Sequence, residues 1–229
     1  MSRIHFIGGE KGGVGKSVVS RLLAQHYIDR AVPFIGFDTD ASHGTFTRFY
    51  AEYAAPARTD HYESLDRIPG QALEDPQKCI LVDLAAQTDQ PLTDWIDSSG
   101  VIELLTEAGV RLTYWHVMDD GRDSFELLGK LFTRFGGRLH YIVVLNHGRG
   151  QKFDLYLESE THQRAKELGA EILELPKLHP AAMQKIDHHN TSFWAAVNNP
   201  QAHNLGLMDR QRVKMWLKRV FAEFERLEV

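Results

Sequence analysis

The sequence predicts an α/β fold, with one domain over residues 1–229 built on a mostly parallel, doubly wound sheet with helices on both faces. Short apolar runs alternate with amphipathic segments, and the runs lie at residues 4–7, 33–37, 79–82, 112–117, 141–145 and 172–175. Continuous apolar runs of this length are typical of strands buried on both faces, as in a parallel sheet. Their alternation with helical patterns indicates βαβ units, and 229 residues suit one such domain.

The composition supports a large core and excludes several classes of protein. Hydrophobic residues make up 43% and charged residues 25% of the chain, which argues against a disordered or fibrous protein. A net charge of -5 argues against a bulk nucleic-acid coat, although it leaves room for a local basic patch. The single cysteine, Cys79, excludes a disulfide framework or a cysteine-rich metal site within one subunit. No secretory signal or membrane-length apolar run is present, so we expect a cytoplasmic protein.

Helical patterns follow the first, fourth and fifth apolar runs, and another closes the chain. We predict helices over residues 16–29 and 153–168, a helical stripe over 125–135, and a last helix over 209–228. The last helix has an apolar stripe flanked by basic residues. We predict that it docks on the sheet, in preference to lying on a membrane surface or contacting DNA. Residues 54–76 and 188–206 lack a clear period and are predicted to be irregular.

A glycine-rich loop with the sequence GGEKGGVGKS joins the first predicted strand to the first predicted helix. Glycines let backbone N–H groups turn toward phosphates, and the helix N-terminus favours an anion. The pattern predicts a P-loop in which Lys16 reaches the β- and γ-phosphates and the Ser17 hydroxyl ligates Mg²⁺. The predicted nucleotide-binding residues of this loop are Gly12, Gly13, Val14, Gly15, Lys16, Ser17 and Val18.

The loop departs from the ordinary P-loop because Glu10 replaces its first glycine and Lys11 precedes Gly12 directly. This arrangement resembles the deviant Walker A signature of the ParA/MinD superfamily of ATPases. The resemblance implies a P-loop NTPase domain, with ATP and Mg²⁺ as cofactors and a homodimer when ATP is bound. In that family the lysine matching Lys11 reaches the partner's phosphates. A cation supplied in trans neutralises charge on the transferring phosphoryl group, as an arginine finger does.

Three carboxylates end or follow predicted strands, at the edge where ligands bind in such folds. Asp38 and Asp40 follow the second run, and Asp83 ends the third. In the family, the residue matching Asp38 positions the attacking water, and the one matching Asp40 helps to organise the metal site. Asp83 matches the Walker B aspartate, which holds Mg²⁺ through a water. After Asp40 the chain lacks the Pro-Gln-Gly that is usual in the family.

Two residues near the end of the sheet are predicted to contact the base. Asn146 ends a buried run, and the matching asparagine in the family contacts adenine. Pro176 follows the last run, where family members line the base pocket. The segment after Asn146 lacks the aspartate of the guanine-reading Asn-Lys-x-Asp, so ATP is favoured over GTP. Some members of the superfamily, such as the nitrogenase iron protein, bind their metal group through several cysteines. Because Cys79 is the only cysteine of this chain, these roles are not expected here.

Three further segments, residues 45–50, 114–117 and 207–212, resemble plasmid mobilisation and stability ATPases of the StbB/TraL kind. That resemblance implies an ATPase that positions, partitions or mobilises DNA or another large cargo. An activating adaptor protein would stimulate slow hydrolysis, and direct contact with DNA stays open. Two alternatives are a metabolic P-loop enzyme resembling dethiobiotin synthetase, which transfers phosphate to a small substrate, and a weakly hydrolysing, nucleotide-dependent regulator.

Overall fold

The computed structural model describes residues 2–9, 11–202 and 204–229, and its centre is a sheet of parallel strands. The strands are β1 (Arg3–Gly8), β2 (Phe34–Asp38), β3 (Ala54–Pro56), β4 (Cys79–Asp83), β5 (Arg111–Met118), β6 (His140–Asn146) and β7 (Glu171–Leu175). They run in the order β3-β2-β4-β1-β5-β6-β7, and every pairing is parallel. The α/β prediction is confirmed, and the sheet is wholly parallel within these described ranges.

Helices cover both faces of the sheet and bury a separate core on each. On one face lie α1 (Lys16–Asp29), α2 (Thr45–Phe49), α9 (Pro180–His188), α10 (Phe193–Asn198) and α11 (Leu207–Arg226). On the other face lie α3 (Tyr62–Glu74), α4 (Asp89–Ser98), α5 (Val101–Glu107), α6 (Arg122–Phe135), α7 (Asp154–Leu157) and α8 (Glu160–Glu167). Successive strand residues enter opposite cores, as Leu81 and Val82 do. This alternation explains why the strands read as continuous apolar runs.

The strand order places the site at the carboxyl edge of β1 and its neighbours. The chain leaves β1 toward β2 on one side and leaves β4 toward β5 on the other. Connections that diverge in this way open a crevice at the carboxyl ends of parallel strands. The register sets Asp83 beside Ile7 of β1 and Asp38 of β2. The loop after β1 therefore lies next to the ends of both carboxylate-bearing strands.

Three local predictions are wrong. Residues 54–76 hold the edge strand β3 and the helix α3, whose apolar spacing at Leu65, Ile68 and Ala72 was obscured by the prolines around it. The segment 153–168 is two helices, because the Ser159 side chain accepts a hydrogen bond from the His162 N–H and starts α8 anew. The segment 188–206 contains α10, which a similar serine cap at Ser192 begins.

The last helix docks on the sheet as predicted, with bounds Leu207–Arg226. Its buried residues are Val213, Trp216, Leu217, Val220 and Phe224. Cys79 is also a buried core residue, on β4. Within the described part of the chain, no helix has the length and apolar character needed to cross a membrane.

Candidate nucleotide-binding site

The largest group of predicted site residues surrounds one open cavity of about 710 Å³. One wall is the glycine-rich loop and the start of α1, together with Asp40 from the loop after β2. The lining also includes three cations and a further carboxylate: Arg21, Arg48, Arg149 and Asp187. The predicted residues that line this cavity are Gly12, Gly13, Gly15, Lys16, Ser17, Val18 and Asp40. A polar, partly cationic cavity over a P-loop suits a polyphosphate.

A second cavity of about 210 Å³ adjoins the first. It contains both residues predicted to contact the base, Asn146 and Pro176, and its lining is mostly apolar. The two cavities share Val18, Arg149 and Asp187. A small apolar pocket that continues from a phosphate-sized cavity matches the two ends of a mononucleotide.

The glycine-rich loop is held in shape by hydrogen bonds from both of its sides. Asn146 Nδ2 donates to the Val14 carbonyl at 2.7 Å, and Asn146 Oδ1 accepts from the Gly148 N–H at 2.9 Å. Lys16 Nζ donates to the carbonyl oxygens of Gly9 at 2.8 Å and of Lys11 at 3.2 Å. The Asn146 side chain therefore braces the P-loop, which is a role that its position in the sequence did not suggest.

Replacing Gly15 with alanine is expected to destabilise the protein by about 2–4 kcal/mol. Gly15 has a φ of 105°, and a Cβ there would lie 2.3 Å from Asn146 Nδ2. Thermal unfolding without nucleotide measures the effect. Gly13→Ala is the matched control, because Gly13 also has a positive φ, 80°, while a Cβ there meets nothing within 4 Å. Equal loss in the two variants would contradict the bracing role of Asn146.

Asp83 is buried at the end of β4 and accepts a hydrogen bond from Ser20 Oγ at 2.9 Å. The pKa of Asp83 is raised to about 7, chiefly by burial and also by the nearby Asp38, whereas hydrogen bonds from Ser17 and Ser20 and the charge of Lys16 lower it. Burial favours the protonated form of a carboxyl group because it disfavours the charged form. A divalent cation close to Asp83 would restore the charged form.

Asp38 and Asp40 are both engaged with the backbone of their own segment. Asp38 Oδ1 accepts from the Asp40 N–H at 3.0 Å, and its Oδ2 accepts from the Thr47 N–H at 3.0 Å and from Thr47 Oγ1 at 3.2 Å. Asp40 Oδ1 accepts from the N–H groups of Ser42 and His43. Asp38 thus fixes the first turn of α2.

Thr39 joins the ends of the two carboxylate-bearing strands. Its hydroxyl donates to the Asp83 carbonyl at 3.2 Å and accepts from the Ala85 N–H at 2.8 Å. Thr39 is buried at the edge of the open cavity. Its hydroxyl links the segment after β2 to the segment after β4, and this link was not predicted from the sequence.

Lys11 lies on the P-loop, but it is not among the residues that line the cavity. Its Nζ is 2.8 Å from Asp119 Oδ2, and the Lys11 side chain is 38% exposed. Asp119 Oδ1 also accepts from Ser124 Oγ at 2.6 Å and from the Gly121 N–H at 3.1 Å. The hydrogen bond with Asp119 raises the pKa of Lys11, so this lysine is charged and tethered to its own chain.

The oxygen atoms near the P-loop fit Mg²⁺ in the way that nucleotide sites use it. Mg²⁺ binds one or two protein oxygens and completes its shell with water and substrate phosphates. Ser17 supplies a hydroxyl and Asp83, whose pKa Ser17 lowers, supplies a carboxylate, while Asp40 adds a second carboxylate to the cavity wall. Across the described ranges, no cluster of three or more His, Cys, Asp or Glu side chains could hold a metal ion alone.

Comparisons with known proteins agree with this geometry. The chain is 23% identical to an Escherichia coli protein TraL over 246 residues, covering 98% of each protein. It is 23% identical to protein MobD of Acidithiobacillus ferrooxidans over 212 residues, covering 91% of this chain and 92% of MobD. No protein-family model matches the chain.

Solved structures with this fold include two MinD proteins. MinD in the MinC:MinD cell division complex of Aquifex aeolicus aligns with a TM-score of 0.56 at 14% identity, over 97% of this chain and 96% of that one. MinD of Pyrococcus horikoshii, complexed with Mg-ADP, aligns with a TM-score of 0.54 at 15% identity, over 96% of each chain. The chain has the ParA/MinD-like P-loop NTPase fold.

Four residues contribute to the site although the sequence did not single them out: Arg21, Thr39, Asp119 and Asp187. A signal existed for Asp119, because it directly follows β5 at the carboxyl edge of the sheet. Arg21 lies in a part of α1 whose other residues are apolar or small, and this pattern indicates a buried charge. Asp187 gave no local signal, since its partner Arg21 is 166 residues away in the chain.

Proposed function

We propose that this ParA/MinD-like protein is an ATPase that dimerises when it binds ATP and then positions, partitions or mobilises plasmid DNA or another large cargo. The position of Lys11 carries the proposal. Its ammonium group is partly exposed, does not line its own cavity, and is held by Asp119 on the same chain. A cation placed outside its own site can serve the site of a second copy.

The plasmid role is supported by similarity to TraL and MobD over nearly their whole lengths. A protein partner is supported by the fold shared with MinD, which was solved in complex with MinC. In this proposal the partner stimulates hydrolysis and supplies the specificity for cargo.

In the proposed reaction, different residues of the chain bind the phosphates, hold the metal ion and orient the water. Lys16 and the loop N–H groups bind the β- and γ-phosphates, and Ser17 with Asp83 would hold Mg²⁺, with Asp40 close by. Bound Mg²⁺ neutralises charge on the phosphates. Asp38 orients water once α2 releases it, and Thr39 transmits that movement to the segment after β4. Lys11 of the second copy then stabilises the charge that develops on the transferred group.

The hydrogen bonds that hold Asp38 also favour a second candidate, a regulator that binds ATP and hydrolyses it weakly. Thr47 donates twice to Oδ2 of Asp38 and the Asp40 N–H donates to Oδ1, so little of the acceptor capacity of this carboxylate is left for a water. Single-turnover ATP kinetics separate the two candidates. Hydrolysis that stays negligible with DNA and with candidate adaptors would favour the regulator.

The test of the proposed function is the molecular mass of the purified protein by light scattering with ATP, with ADP and without nucleotide. We expect a dimer with ATP and a monomer in the other two conditions, because only ATP offers a γ-phosphate to Lys11 of the second copy. Phosphate release is then measured with and without plasmid DNA. A mass independent of nucleotide would contradict the proposal, and turnover that needs a small-molecule acceptor would favour a metabolic enzyme.

A further inference from the structure

The junction between the two cavities contains one carboxylate, Asp187 of α9. Building on the proposed function, we propose that Asp187 binds the ribose hydroxyls of the nucleotide and that Arg21 positions its carboxylate. In a mononucleotide the ribose joins the base to the phosphates, so it occupies the place where the base-sized cavity meets the phosphate-sized one. Asp187, Val18 and Arg149 are the residues that line both cavities.

Asp187 offers the chemistry that a ribose needs. Ribose hydroxyls donate hydrogen bonds, and of the three shared residues only Asp187 has a side chain that accepts them, because valine is apolar and arginine is a pure donor. The Asp187 side chain is 49% exposed and uses Oδ1 to bind Arg21. Within the described part of the chain its Oδ2 accepts no hydrogen bond, so this oxygen has acceptor capacity for a ribose hydroxyl.

Arg21 holds Asp187 from a buried position on α1. Arg21 Nη1 donates to Asp187 Oδ1 at 2.9 Å, and the Arg21 side chain is only 2% exposed. Its guanidinium carbon lies 3.6 Å from the ring centroid of Phe49 and 4.7 Å from that of Phe193. Two aromatic rings therefore fix the plane of the guanidinium group, and through it the direction of the carboxylate.

The Arg21–Asp187 pair also reduces electrostatic repulsion at the junction between the two cavities. An isolated carboxylate beside a triphosphate would repel it, whereas a carboxylate bonded to an arginine has most of its charge compensated. Arg21 Nε and Nη2 have no hydrogen-bond partner in the described residues, so Asp187 is the only acceptor recorded for this buried cation. Such a cation favours a fixed position of the Asp187 side chain over a mobile one.

The test compares the dissociation constants of ATP and 2′-deoxy-ATP for the full-length wild-type protein and for Asp187→Ala. We expect the wild type to bind ATP about tenfold more tightly than 2′-deoxy-ATP, since a lost hydrogen bond to a charged group costs about that much. Asp187→Ala should bind the two nucleotides equally. Glu158→Ala, an exposed acid on neither cavity wall, is the matched control and should keep the wild-type ratio.

Arg21→Met tests the positioning role, because a residue that only stabilises the fold would weaken binding of both nucleotides alike. We expect Arg21→Met to lose the preference for ATP as Asp187→Ala does, and thermal unfolding reports whether the variant is folded. Equal binding of both nucleotides by the wild type, or a preference that survives in Asp187→Ala, would overturn the inference while leaving the proposed function intact. Absence of any nucleotide binding by the wild type would overturn both.

Discussion

Without nucleotide, the wild-type protein is expected to lose about 3 kcal/mol of stability between pH 5 and pH 8, and the variant Asp83→Asn is expected not to show this loss. The pKa of Asp83 in the folded protein is about 7, chiefly because of burial, against an ordinary value of 3.8. The folded state therefore keeps its proton at pH values where the unfolded chain has released it. That contribution to stability is complete below pH 3.8 and is lost as the pH rises through 7.

Asparagine has the shape of aspartate and no charge, so it avoids the cost of burying a carboxylate at pH 8. The measurement is the free energy of unfolding of wild type and variant at both pH values, in EDTA. Comparing the variant with the wild type at each pH cancels the contribution of the buried histidines, whose pKa values are lowered, such as His5 and His116. An identical pH dependence in the two proteins would contradict the account of Asp83.

Magnesium should reverse the order of stability of the wild type and Asp83→Asn at pH 8. With Mg-ADP at pH 8, the wild type is expected to gain stability because the cation compensates the charge of Asp83. Asp83→Asn should gain less from Mg²⁺, since it has no carboxylate there to bind. A variant that gains as much as the wild type would show that Asp83 does not take part in holding the cation.

Lys11→Ala is expected to abolish ATP-dependent dimerisation and to lower ATP turnover by about 10²–10³-fold. The reason is the loss of a cation on the phosphates of the partner subunit. Binding of ATP to the monomer should change little, because the Lys11 side chain does not line its own cavity. Turnover, mass by light scattering and the dissociation constant of ATP are measured on the same preparation.

Lys214→Ala is the matched control for Lys11→Ala, because Lys214 is an exposed lysine of α11 that lines neither cavity. It should dimerise and hydrolyse ATP as the wild type does. A Lys11→Ala protein with wild-type turnover would contradict the proposed mechanism. Loss of ATP binding by its monomer would indicate instead that Lys11 acts on its own site.

The fold and the P-loop could be predicted from the sequence because their signals are local. A phosphate loop is one continuous run of residues, and each buried strand shows its own apolar run. The helix α3 was missed because prolines surround it and Pro69 lies inside it. Here the apolar residues that pack on the sheet outweigh the propensity against a helix.

The contacts that organise the candidate site could not be predicted, since they join distant parts of the chain. Lys11 meets Asp119, and Arg21 meets Asp187. Each pair depends on which strand lies next to β1 and on which face a helix packs. No window of sequence contains that information. The engagement of Asp38 by Thr47 is closer in the chain, but it depends on how α2 turns back toward β2.

The central claim is that Lys11 of one subunit acts in the site of another, and mixing two inactive variants tests it most directly. Lys16→Ala lacks the lysine for its own phosphates but keeps Lys11, whereas Lys11→Ala keeps the P-loop lysine. In a mixed dimer, one site combines Lys16 from one subunit with Lys11 from the other. We predict that equal amounts of the two variants recover measurable ATP turnover that neither shows alone. A mixture as inactive as its components, although mixed dimers form, would contradict the claim.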